Sequence, residues 1–342
     1  MKGIRKLADH LDLSIGTVSR ALNGKPDVNK ETRERVLKAA EAYGYVANQA
    51  GRSLRKGSTG IIGFVMETSH DVTGQGGTFF MTVFDGVQAV LARHKLDLVV
   101  LLCSSEEDPD DYLRRNVARG FADGIILSAT RRQDHRFEIL HRADIPFITL
   151  GRSLIDVGQP SFDLDFEGIA QASVERLVAH GHTNIAISRP PGEINLGYVF
   201  EASCREALAR HGLALDQQNV FRTRPNERGG YQLAQELVAR KERPTAIVLV
   251  NEATVVGFYH GLEEAGLRPG KDIAVIGQYS PQAQFLVPKL SCFRQSLRDL
   301  GISLAETLLS TMPAFAEHYP DVTHRQLWPM EFIEGESDSF RL

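Results

Sequence analysis

The chain has 342 residues, 42% of them apolar, and a net charge of −4, which is enough material for two or three domains with buried cores. It has no apolar run of about 18 residues and no apolar stretch behind Met1-Lys2-Gly3-Ile4-Arg5-Lys6, so neither a membrane span nor a secretory leader is expected and the chain reads as cytoplasmic. Cys103, Cys204 and Cys292 lie far apart without Cys-x-x-Cys spacing and read as buried thiols, not as a disulfide frame or a metal site.

Ile4, Leu7, Ala8 and Leu11 fall at i, i+3, i+4 and i+7, the apolar stripe of a short helix. Asp12-Leu13-Ser14 breaks that pattern, with Asp12 tolerating a left-handed turn and Ser14 suited to cap the next helix. That helix turns Val18, Ala21 and Leu22 inward and Ile15, Gly16, Thr17 and Arg20 outward, and Asn23-Gly24 stops it. Two short helices joined this way predict a helix-turn-helix, whose second helix offers its first residues to base edges in the DNA major groove. A plain helical hairpin is the alternative. Asn29 then caps a third helix that buries Val36, Ala39, Ala40 and Tyr43.

Charge is distributed unevenly. Residues 1–60 hold twelve Lys and Arg against six Asp and Glu, a surplus of +6, which leaves −10 for the remainder. A basic head on an acidic body suits phosphate contact.

Tyr45 to Ser58 follows, small and basic with an isolated Leu54. It reads either as an interdomain linker or as a short helix in the minor groove, with Leu54 wedged between base steps and Arg52 and Arg55 beside phosphates. Beyond Gly60, apolar runs alternate with helical stretches. Ile61–Met66, Leu98–Leu102, Gly124–Leu127 and Phe147–Leu150 form one series; Ile185–Ile187, Val220-Phe221, Ala246–Val250 and Ile273–Ile276 form a second. Two β-α-β series predict two doubly wound α/β lobes with a ligand cleft at their strand ends.

Leu7-Ala8, Ser14 to Asn23, Thr32 to Val36, Gly44-Tyr45 with Asn48, and Arg52-Ser53-Leu54 resemble the head-piece and hinge of the lactose-repressor/galactose-repressor family of bacterial transcription regulators. Gly181-His182-Thr183-Asn184, Arg243-Pro244-Thr245, Asn251-Glu252, Asp272 to Gly277, Pro288-Lys289-Leu290 and Arg294-Gln295 carry the likeness through the body. The resemblance implies a periplasmic-binding-protein-like body of type I and a homodimer on a pseudo-palindromic operator in double-stranded DNA. It also implies a small effector, a sugar or sugar derivative. No cofactor and no metal are expected. The expected division is a head at 1–47, a hinge at 48–58, and a body at 59–342. Within the body, lobe one takes about 59–159 and 296–320, and lobe two about 160–292 and 321–336.

Ser14, Ile15, Gly16, Thr17, Ser19, Arg20, Asn23, Asn48, Arg52 and Leu54 are the expected DNA contacts, with Arg20 placed for a guanine. Three departures stand out. Asp12 replaces the family's usual turn glycine, and Gly51 replaces an alanine of the hinge. The family's sugar-clamping Arg falls on Phe200 and its pocket Asp on Tyr279, trading charge for flat faces. The effector contacts are expected to be Phe80, Ser128 and Arg152 from lobe one, Tyr198, Phe200, Asn251 and Tyr279 from lobe two, and Gln295 near the crossover. A neutral ring compound fits this set, and Arg152 keeps a sugar phosphate or acid as the alternative. A cytoplasmic sugar-processing enzyme on a two-lobed fold is the competing function. The phosphate-cradling glycine motifs such an enzyme uses are missing. His180 and His182 read as capping or surface residues.

Overall fold

The computed structural model describes residues 3–22, 24–45, 58–68 and 76–339, in two compact units that divide between Gly60 and Ile61. The first unit holds α1 (Ile4–Leu11), α2 (Ile15–Leu22) and α3 (Lys30–Ala42). Leu7, Ala8, Val18, Ala21, Val36 and Ala40 form its core. Asp12 takes the left-handed conformation at φ 52°, and the next amide, Leu13 N–H, donates back to the Ala8 carbonyl at 3.0 Å. Ser14 Oγ accepts from Thr17 N–H at 3.0 Å, and Asn29 Oδ1 accepts from Thr32 N–H at 2.7 Å. Each cap satisfies an orphan donor at a helix start.

The second unit is two-lobed. Its first lobe begins with β1 (Ile61–Thr68), α4 (Gly76–Leu91), β2 (Asp97–Ser104) and α5 (Pro109–Ala118), then β3 (Gly124–Leu127), α6 (Arg136–Arg142), β4 (Phe147–Leu150) and β5 (Ser161–Leu164). The second lobe runs through α7 (Phe166–Ala179), β6 (Ile185–Arg189), α8 (Asn195–Arg210), β7 (Val220–Arg222) and α9 (Glu227–Val238). It continues with β8 (Ala246–Leu249), α10 (Glu252–Glu264), β9 (Ala274–Gln278) and β10 (Ser291–Arg294). The chain then returns through α11 (Leu297–Ser310) and β11 (Arg325–Trp328) to the first lobe and ends on β12 (Glu331–Ile333) in the second.

The first sheet has the order β11-β5-β4-β3-β1-β2 and the second β12-β10-β9-β8-β6-β7. Pairing is parallel throughout except for β12 on β10. The predicted fold class holds: a three-helix head and two doubly wound α/β lobes. The lobe boundaries differ from expectation. β5 and β11 pair with each other in the first sheet, so the chain crosses after Leu164 and after Trp328, not near 160 and 321. Both segments mix polar and apolar residues, as strands toward a sheet edge do, and lack the continuous apolar run that marks the central strands.

Two packing features bear on the site. Arg136 and Asp134 are buried together, with Arg136 Nε donating to Asp134 Oδ1 at 2.8 Å and Nη2 to Oδ2 at 2.7 Å. The same guanidinium donates to the Ser128 and Ala129 carbonyls at 3.2 Å and to Glu67 at 3.2 Å, beneath the carboxyl ends of β1 and β3. In the second lobe, α9 and α10 meet at facing glycines. A Cβ on Gly230 would lie 1.9 Å from the Thr254 carbonyl oxygen, and one on Gly257 would lie 1.7 Å from that of Glu227.

Candidate functional site

The start of α2 presents a small polar surface. Ser14, Gly16 and Arg20 are exposed, while Ile15 and Thr17 are half-buried. A Cβ on Gly16 would come within 3.3 Å of Arg20 Nη1, a contact that a shift of a few tenths of an ångström in that guanidinium would relieve. Arg20 Nε pairs with Asp27 Oδ2 at 3.1 Å, both side chains about half exposed. A pair of this kind is weak enough to exchange for another acceptor. Ser19 departs from expectation: it is buried beside Val18 and does not share the surface of Gly16 and Arg20. Helical rotation places residue 19 next to the inward-facing 18. Asn23, Asn48, Arg52 and Leu54 lie outside the described residues.

In the body, a cleft of about 180 Å³ opens where the two lobes meet. Phe79 and Thr82 of α4 and Leu297 of α11 line it from the first lobe, and Glu252 and Ala253 of α10 and Tyr279 after β9 from the second, with Arg294 and Gln295 at the crossing. Of the eight expected effector contacts, Tyr279 and Gln295 line this cleft. Glu252 and Phe79 were not among the expected contacts, although each is a sequence neighbour of one that was, Asn251 and Phe80. One residue along a helix start rotates a side chain by 100°, and only the fold sets that phase.

The other six have different surroundings. Phe200 has no exposed surface and packs in the core with Cys204, Ala207 and Leu208 along the inner stripe of α8. It has no face to offer a ligand. Phe80 packs edge-on against Phe64 and Phe79, at 5.9 and 5.1 Å between ring centroids. Ser128 is buried and donates its hydroxyl to the Val65 carbonyl at 2.9 Å. Asn251 caps α10, its Oδ1 accepting from Ala253 N–H at 3.0 Å. Arg152 donates to Asp163 at 2.8 Å and to Glu167 at 2.7 Å, so its charge is matched within the lobe. Burial pushes the Asp163 carboxyl up to about 6, with the Arg152 guanidinium pulling the other way. Tyr198 donates to Glu193 at 2.8 Å, and its ring faces the Arg132 and Arg189 guanidinium groups at 4.8 and 5.0 Å.

The lobes also touch away from the crossings. Arg132 N–H donates to the Glu193 carbonyl at 2.8 Å and Asn195 N–H to the Thr130 carbonyl at 2.9 Å, a short antiparallel bridge between the loops after β3 and β6. Asn195 Nδ2 adds a bond to the Arg152 carbonyl at 2.9 Å.

Among the described residues, no group of three or more His, Cys, Asp or Glu is placed to hold a metal ion. His180 Nδ1 lies 2.9 Å from the Asp338 carbonyl, and the fully buried His182 lies 2.9 Å from the Thr245 hydroxyl. No helix among the described residues is long and apolar enough to cross a membrane.

Residues 4–48 match the family model described as bacterial regulatory proteins of the lacI family, and residues 59–334 match that of periplasmic binding proteins and the sugar binding domain of the LacI family. The chain belongs to the LacI/GalR family. Among curated LacI-family relatives, the HTH-type transcriptional regulator AglR of Rhizobium meliloti (strain 1021) is 32% identical over 337 residues, covering 96% of this chain and 92% of its own. Among solved structures, the lac repressor dimer bound to operator and the anti-inducer ONPF aligns with a TM-score of 0.82 at 21% identity, over 98% of this chain and 99% of that one. A complex of the transcriptional regulator CelR with cellobiose aligns with a TM-score of 0.71 at 23% identity, over 98% and 100% of the two chains. Both likenesses show the shared LacI-type fold.

Proposed function

We propose that this LacI-family chain is a transcription repressor that binds a pseudo-palindromic operator as a homodimer and is modulated by an uncharged carbohydrate in the interlobe cleft. The observation that carries it is the combination, in one chain, of a capped helix-turn-helix with an exposed α2 start and a two-lobed body with a cleft at its lobe junction. The names of relatives point the same way: AglR is a regulator, the lac repressor was solved on its operator, and CelR was solved with cellobiose.

Charge pairing argues for a neutral effector over a sugar phosphate. Arg152 is held by Asp163 and Glu167, Arg136 by Asp134 and Glu67, Arg189 by Glu201, and Arg294 by Glu331. Recruiting any of them to a phosphate would break an existing ion pair, and for Arg152, Arg136 and Arg294 it would leave Asp163, Asp134 and Glu331 without their cation. Sedimentation equilibrium should give the mass of two chains, and a mass near four would overturn the dimer.

Selection of bound sequences from randomised half-sites tests the DNA function. A palindrome with half-sites about one helical turn apart is expected; no enrichment over random duplex would contradict the proposal. Arg20→Ala should cost about 1–3 kcal/mol of operator binding and relax preference at one base per half-site. Unchanged base preference in that variant would remove Arg20 from the reading surface. Leu54→Ala should weaken operator binding while sparing salt-dependent non-specific binding, as removal of a minor-groove wedge requires.

A further inference from the structure

Among the described residues, Glu252 is the only acidic one lining the interlobe cleft, at the first position of α10. Among the described residues it makes no ion pair and no side-chain hydrogen bond beyond its own backbone amide. The one basic residue in the lining among the described residues, Arg294, donates to Glu331 at 2.8 Å and so faces a different acid. Across the cleft, Gln295 Oε1 is buried with no hydrogen-bond partner among the described residues. Glu252 is therefore a partly exposed acceptor in the cavity lining with no side-chain donor, while Gln295 Oε1 is enclosed within the protein. A half-buried carboxylate without a side-chain donor gains from a molecule that enters the cavity and donates to it. Tyr279 and Phe79 add ring faces to the same walls. The combination of a carboxylate acceptor and rings suits a polyhydroxylated ring compound with no negative charge.

We propose that Glu252 is a specificity-determining effector contact, whose carboxylate accepts hydrogen bonds from two neighbouring hydroxyls of a neutral carbohydrate and repels phosphorylated or acidic forms. This rests on the effector reading above and adds to it the residue that selects the ligand's charge. Burial pushes the Glu252 carboxyl up to about 7, its own amide pulling weakly the other way. The charged and titratable groups on the elements around it are Glu227 of α9, Asp85 of α4 with its partner Arg298, Tyr279, and Arg294 with Glu331; none of them contributes to that shift. A ligand that donates to the ionised form lowers the carboxyl's pKa in the complex, so it binds more tightly as pH rises. A ligand that accepts from the protonated form would do the opposite.

The test is calorimetric titration of the full chain with cellobiose, maltose, melibiose and glucose 6-phosphate between about pH 5 and pH 8. A neutral disaccharide is expected to bind at least about tenfold more tightly than the phosphate. Its affinity should rise roughly tenfold across that range if the bound hydroxyls lower the carboxyl by one unit. Glu252→Gln, checked by its melting curve, should lose about tenfold in affinity and give a flat pH profile. Glu252→Asp should bind weakly but keep the slope, which covers the case in which the Gln variant does not fold. A Gln variant that binds as the parent does, with the same pH slope, overturns the role of Glu252 and leaves the carbohydrate effector standing. Tighter binding of glucose 6-phosphate than of every neutral sugar also overturns it. Silence toward all four sugars overturns both the inference and the effector class beneath it.

Discussion

Arg136→Ala is expected to cost the body about 3–5 kcal/mol, because it strands a buried carboxylate. Asp134 is 1% exposed and Arg136 not at all, and their two hydrogen bonds form a bidentate pair. Removing the guanidinium also takes the donor from the Ser128 and Ala129 carbonyls and one cation from Glu67, which keeps only Arg131. A melting temperature lower by roughly 10 °C would register the loss, and a change of only one or two degrees would show that the pair contributes little. The pH dependence has a definite sign. Burial alone would raise the Asp134 carboxyl, but the hydrogen bonds and charge of Arg136 outweigh it and hold the group below the usual carboxylate range. Its contribution is therefore complete above the ordinary carboxylate pKa and fades as pH falls through the lowered value. In the alanine variant the unpaired carboxyl protonates readily, so the stability gap between the two proteins should narrow in acid. Arg136→Met combined with Asp134→Leu should recover part of the loss, since an apolar pair leaves no buried charge.

Gly257→Ala should destabilise the second lobe by about 3 kcal/mol, the upper end of what overpacking costs. The added methyl would meet the Glu227 backbone carbonyl at 1.7 Å, and a backbone has no alternative rotamer. Relief requires α9 and α10 to separate, and α10 carries Glu252 at its first position, so ligand affinity should fall along with stability. Gly197→Ala is the matched control. Its methyl would meet the Arg189 side chain at 3.3 Å, a contact that small movements absorb. Equal losses in the two variants would show that backbone approach is not what makes Gly257 intolerant.

Much of this architecture is legible in the sequence because its signals are local. Asp12-Leu13-Ser14 specifies a turn and a cap within three residues, and both appear where the chemistry places them. Central strands such as Gly124–Leu127 are covered on both faces and so read as unbroken apolar runs. What the sequence hides is set by pairing across long separations. Arg325–Trp328 is a mixed polar and apolar stretch whose partner, Ser161–Leu164, lies more than 150 residues earlier, and nothing in either segment announces the other. Arg136 sits in the run Arg131-Arg132-Gln133-Asp134-His135-Arg136, which looks like a solvated face, yet among the described residues it is the largest fully buried side chain. Within the site, Phe200 illustrates the same limit. Its ring suggested stacking on a ligand, and the phase of α8 turned it into the core.

The bridge between Arg132 and Glu193 and between Asn195 and Thr130 gives the body an uneven mechanical connection. One edge of the junction is held by covalent chain, where Leu164, Arg294 and Trp328 lead across. The bridge follows β3 and β6, two and three strands in from that edge, a lever arm of roughly 10–15 Å at about 4.8 Å per strand. A rotation of about 20° around the covalent edge would part it by roughly 4 Å, beyond the reach of any hydrogen bond. Each peptide bond lost to water costs only about 0.5–1.5 kcal/mol net. The bridge therefore makes the motion stepwise without making it expensive. The bridge joins the lobes at β3 and β6, inside the far edges formed by β2 and β7, and a bound molecule would shift the balance between joined and parted lobes only by preferring one of them.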